Sequence, residues 1–121
     1  MTIHQLHGTA VLVCDLDGDP VSGTSDALQL IGDAAAESAG WVAVPVTRWH
    51  QDFFRLRTGL AGEVLQKFVQ YRVGIAVVGD VSRWVEESSA LRDFVRECDR
   101  GSQIWFVADL AELGERLAAR S

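Results

Sequence analysis

Four short apolar runs, separated by stretches with helical spacing, constrain this chain more than any other feature. The runs are "TAVLVCD", "WVAVPV", "GIAVVGDV" and "QIWFVA". Between them, apolar residues recur at i, i+3, i+4 and i+7. The sets are Ala27, Leu28, Ile31, Ala34 and Ala35; then Leu60, Val64, Leu65 and Phe68; then Leu91, Phe94, Val95 and Cys98. Strands that alternate with helices need long crossovers, and such crossovers build a largely parallel sheet. The run "GIAVVGDV" is apolar almost throughout, which predicts a central strand covered on both faces. Pro45 cannot donate to a ladder, which predicts an edge position or a local irregularity for "WVAVPV".

The ends of the elements are also marked. "TIHQL" reads as a strand joined to "TAVLVCD" by His7-Gly8, a pair suited to a tight hairpin. Thr24 or Ser25 is expected to cap the first helix and Gly40 to close it. The second helix is expected to begin at Thr58 or Gly59. Ser88 or Ser89 caps the third, and Gly101 ends it. Asp109 with Glu112 three residues on forms a capping box for the last. The predicted fold is therefore α/β: a single domain over residues 1–121, with a four-to-five-stranded sheet, an N-terminal hairpin and the order β-β-α-β-α-β-α-β-α.

Charge and cysteine usage narrow the function classes. The 121 residues carry 11 basic and 17 acidic side chains, a net charge of −6. This balance disfavours nucleic acid and anionic membrane as partners, since both require a net basic face. No apolar run approaches the roughly 20 residues of a spanning helix, and "MTIHQLHG" lacks the pattern of a signal peptide. Cys14 and Cys98 each fall in an apolar pattern and read as buried free thiols, which fits a cytoplasmic protein. No Cys/His cluster points to a metal, and no cofactor is implied.

In open α/β sheets the reactive crevice lies beyond the carboxyl ends of the strands. Four loops are predicted to arrive there: Asp15–Asp19, Thr47–Thr58, Gly79–Trp84 and Ala108-Asp109. The longest contains "DFFRLRTG". A helix start at Thr58-Gly59, flanked by Arg55 and Arg57, offers backbone N–H groups and two cations to an anion. Asp52 lies in the same loop, and Arg83 in the neighbouring one adds a further cation. Trp49, Phe53, Phe54 and Trp84 either line an apolar partner surface there or plug the open end of the sheet.

The strings "DFFRLRTGLAGEVLQKFVQYRVGIAVVGDVS" and "SALRDFVRECDRGSQIWFV" resemble an uncharacterised bacterial family catalogued as domain of unknown function 4180. The resemblance runs from "DALQLI" through "VADL" and implies no assigned activity. The element order is also similar to the STAS-like fold of bacterial anti-sigma-factor antagonists. In those proteins a serine at the start of the second helix is phosphorylated to switch partner binding. Here Asp52 and Thr58-Gly59 occupy the comparable region, with a longer spacing than the compact antagonist motif.

Three functional expectations follow. The first is a regulatory binding module that takes a protein partner or a small anionic ligand at the Thr58 helix start. The second is a magnesium-dependent phosphohydrolase. There Asp15 and Asp17, in "VLVCDLDGDP", would act as nucleophile and acid/base, and Asp80 would serve as a metal carboxylate. The threonine usual after Asp-x-Asp-Gly is replaced by Asp19-Pro20. The third is a structural homodimer formed through the N-terminal hairpin.

Overall fold

The computed structural model of the chain describes residues 1–120. One five-stranded sheet runs β1 (Thr2–Leu6), β2 (Thr9–Val13), β3 (Trp41–Pro45), β4 (Gly74–Val78) and β5 (Ile104–Val107), in that spatial order. β1 pairs antiparallel with β2, and the remaining neighbours are parallel. The α/β class and the N-terminal hairpin are as the sequence predicts. The hairpin turns on His7 and Gly8, with φ of 51° and 85°, the left-handed pair that matches strand twist.

Five α-helices are formed among the described residues: α1 (Thr24–Ala36), α2 (Leu60–Gln70), α3 (Ser82–Glu87), α4 (Ser89–Arg100) and α5 (Leu110–Ala119). Because successive parallel strands always step the same way, right-handed crossovers place their helices on one face. The packing agrees. Leu12, Val42, Val44, Ile75, Val77 and Phe106 share a core with Ile31 of α1, Phe68 of α2 and Leu91 of α4. The alternate strand residues Val11, Trp41, Ala43, Ala76, Trp105 and Val107 face the other way. They pack beneath Leu113 and Leu117 of α5, the period-2 alternation of a sheet covered on both faces.

Several boundaries differ from expectation. β3 lies inside the sheet, not at an edge. Pro45 is its last residue, and the pairing of β3 with β2 has already stopped at Ala43, so the missing donor breaks no central bond. Gly23, not Thr24 or Ser25, precedes α1 as its cap. Instead, Asp26 Oδ2 accepts from the Ser22 N–H (2.9 Å). α1 is closed by Ser38, at φ 54°, and not by Gly40. The Ala39 N–H donates to Ala34 O and the Ser38 N–H to Ala35 O, a Schellman arrangement. α2 closes in the same way around Arg72, at φ 58°.

α3 falls within a stretch expected to be loop. α4 and α5 start as predicted: Ser88 Oγ accepts from the Leu91 N–H (3.1 Å), and Asp109 Oδ1 from the Glu112 N–H (2.9 Å). Cys14 is buried and Cys98 half-buried, both as free thiols.

Candidate functional site: the arginine-walled groove over β4 and β5

The long loop after β3 folds into three single 3₁₀ turns, Val46–Arg48, Gln51–Phe54 and Leu56–Thr58. Their purpose is packing. Trp49, Phe53 and Phe54 are buried at 5%, 0% and 4% exposure. Their rings form a chain: Trp49 to Phe53 at 4.1 Å, Phe53 to Phe54 at 5.1 Å, and Phe54 stacked on Trp84 at 4.0 Å. Arg83 lies over the Trp84 ring at 5.0 Å, a cation–π contact. Of the four aromatics expected either to line a partner surface or to plug the sheet, three are interior. They plug the end of the sheet, and half-buried Trp84 closes the chain.

Thr58 ties this loop together. Its hydroxyl lies 2.8 Å from both Asp52 O and Arg55 O, and it accepts from the Leu60 N–H at 3.3 Å. α2 therefore begins at Leu60, after Gly59 at φ 79°, and not at Thr58. The small hollow beside it, about 300 Å³, is lined by Ser22, His50, Asp52, Thr58, Leu60 and Glu63. Two of those residues are carboxylates. Arg55 and Arg57 are exposed and line none of it. The geometry here replaces the expected basic notch with an acidic one.

The acidic loop after β2 is organised by a residue that sequence reasoning passed over. The Arg48 guanidinium donates to the carbonyls of Asp15 (2.9 Å), Asp19 (3.1 Å) and Asp17 (3.4 Å). Gly18 holds φ at 143°, a conformation that side-chain-bearing residues rarely adopt, and its missing Cβ lets the guanidinium lie against the loop. Asp15 and Asp17 line a hollow with Arg48, whereas Asp80 lines a different one. Asp80 Oδ1 accepts from the Ser82 N–H (2.9 Å) at the start of α3. Hydrogen bonds from Ser82 hold its pKa below the usual carboxylate value. The aspartates of the phosphohydrolase reading thus do not converge. Among the described residues, no group of three or more His, Cys, Asp or Glu is placed to hold a metal ion.

The groove at the carboxyl ends of β4 and β5 is larger, about 670 Å³. Val85, Val95, Phe106 and Val107 make its apolar surface, and Gly79–Ser82 bounds one side. Arg92, Arg96 and Arg100 line it from α4. Their spacing of four puts them on one helical face. The two carboxylates in the groove are already engaged. Asp80 accepts from the Ser82 N–H (2.9 Å), and Asp99 accepts from the Phe106 N–H (2.8 Å) and pairs with Arg116 (3.3 Å). Arg100 reaches Glu97 at 3.5 Å. Arg92 and Arg96 form no ion pair among the described residues.

The signal for this wall was present in "LRDFVRECDR" as arginine at every fourth position. The same helix also carries the apolar set Leu91, Phe94, Val95 and Cys98, so the arginine spacing by itself reads as a solvated face. Of the expected site residues, the groove engages Asp80 directly. Arg83 and Trp84 lie on α3, whose Ser82 and Val85 line it.

No curated protein and no solved structure matches the chain. Residues 6–117 match the family model described as "Domain of unknown function (DUF4180)", and the chain belongs to that family.

Proposed function

We propose that the protein is a regulatory binding module whose ligand is a small molecule with an anionic group on an apolar body, seated in the groove over β4 and β5. One observation carries this reading: Arg92 and Arg96 face an apolar-floored groove in which every carboxylate is already bonded elsewhere. In this reading a carboxylate or phosphate bridges the two guanidinium groups, and Val85, Val95 and Phe106 receive the apolar part. The groove lies beyond the carboxyl ends of parallel strands, where ligands of open α/β sheets bind. The order β-β-α-β-α-β-α-β-α, with α3 as an addition, supports a STAS-like regulatory role of cytoplasmic type as part of the same proposal.

The test is titration with aryl and acyl phosphates and carboxylates, followed by calorimetry. Each charge-assisted contact contributes about 1.5–3 kcal/mol. Arg92→Gln or Arg96→Gln is therefore expected to weaken binding by roughly 10- to 100-fold. Affinity that is unchanged in both variants would place the ligand elsewhere.

A further inference from the structure

The two edges of the sheet are treated differently. At β5 the outward amide of Phe106 donates to Asp99 Oδ1 at 2.8 Å. Arg116 fixes that carboxylate from beside it (3.3 Å) and also bonds Asp99 O, while the Trp105 indole N–H closes onto Gly101 O at 2.8 Å. The chain's own α4 terminus therefore blocks strand addition on that side. β1 carries no such cover. Residues 2–5 are exposed, and Ile3 is 36% accessible.

The register shows which groups of β1 face outward. Leu6 pairs with Thr9 across the two-residue turn, and Gln5 with Ala10. Ala10 O accepts from the Gly40 N–H, so Ala10 directs its backbone toward β3 and away from β1. In an antiparallel ladder the N–H and C=O of one residue point the same way, and the direction alternates along the strand. Gln5 and Ile3 therefore present their amides and carbonyls to the open edge. Among the described residues nothing bonds to them.

We propose that this edge pairs with β1 of a second copy, antiparallel about a two-fold axis, to give one continuous sheet across a homodimer. Self-pairing centred on His4 sets Ile3 against Gln5 of the other copy, and Gln5 against its Ile3. Every outward amide and carbonyl of those residues then finds a partner. The alternative self-addition, β1 onto β5 of the next copy, would grow an open fibre, and Asp99 obstructs it. Among additions of this chain to itself, the closed pair joins the open β1 edges and asks nothing of the β5 edge, where Asp99 already holds the Phe106 amide. Thr2–Leu6 contains no Lys, Arg, Asp or Glu, so the pairing brings none of these charges face to face. The inference is independent of the ligand reading above.

The test is sedimentation equilibrium from micromolar concentration to about 0.5 mM, since a strand-edge contact belongs to the small, weak class of interface. The expected species approaches twice the 13.2 kDa monomer. Gln5→Pro removes an outward donor and no bond of the β1–β2 ladder, so a folded monomer is expected. Ile3→Lys, which sets a charge on the same edge, serves if the proline variant fails to fold, and it too is expected to be monomeric. A wild-type protein that stays monomeric throughout overturns the proposal. So does a dimer that survives whichever of these substitutions is folded.

Discussion

Trp41 and Gly74 sit side by side in β3 and β4, and a Cβ at position 74 would lie 2.2 Å from the Trp41 ring. The indole cannot withdraw, because it is 2% exposed and stacked on Trp105 at 4.5 Å. Gly74→Ala is therefore expected to destabilise by about 2–3 kcal/mol through overpacking, lowering Tm on the order of 10 °C. In a Trp41→Phe background the added cost of Gly74→Ala should shrink. A thermal double-mutant cycle reads that coupling.

Ser38 and Arg72 hold left-handed positions that glycine adopts without strain. Ser38→Gly and Arg72→Gly are each expected to stabilise by about 0.5–1 kcal/mol. The two act at different helix ends, so their effects should add. Chemical denaturation of the single and double variants checks both claims.

Asp99 joins α4, β5 and α5 through the Phe106 amide and Arg116. Asp99→Ala is expected to cost about 1–3 kcal/mol, the penalty for the Phe106 amide left without its acceptor and for the lost carboxylate contact of Arg116, which keeps only Asp99 O. Asp99→Asn keeps an acceptor oxygen and should cost less. Asp99→Ala also frees the outward Phe106 amide at the β5 edge, so it should aggregate faster on warming. Light scattering during thermal unfolding measures this.

Much of the scaffold was legible because it depends on local rules. The alternation of apolar runs with helical spacing, the His7-Gly8 turn and the caps at Ser88 and Asp109 all operate within a few residues. The rest depends on long-range contacts that no spacing encodes. Arg48 meets Asp15 carbonyl 33 positions away. Phe54 is covered by Trp84, which arrives from another crossover. Thr58 resembled a helix cap, yet its hydroxyl spans back to Asp52 O and closes a loop. Pro45 pointed to an edge or a local irregularity, and sequence alone does not show which: β3 is internal, yet its pairing with β2 has already ended before Pro45.

Burial raises the pKa of Cys98 from 9.0 to about 11, with Asp99 and Glu97 adding to the effect, and burial also raises that of Cys14. At pH 8 both thiols should react slowly with iodoacetamide, and at full speed only after unfolding. A thiol with a raised folded pKa contributes stability that is complete below its unfolded value and is lost as pH rises through the folded one. Stability should therefore decline between about pH 9 and 11. Cys98→Ser should flatten that decline, as read by denaturation across the pH series.

The most direct measurement of the central claim is a chemical-shift titration of isotope-labelled protein with phenyl phosphate to about 10 mM, a range that detects millimolar affinity. The account predicts saturable shifts confined to the amides of Gly79–Ser82 and Arg92–Arg100, abolished in the Arg92→Gln/Arg96→Gln double variant. Shifts centred on Thr58 and Gly59 would contradict it, as would a response that the double variant leaves intact or no response at all.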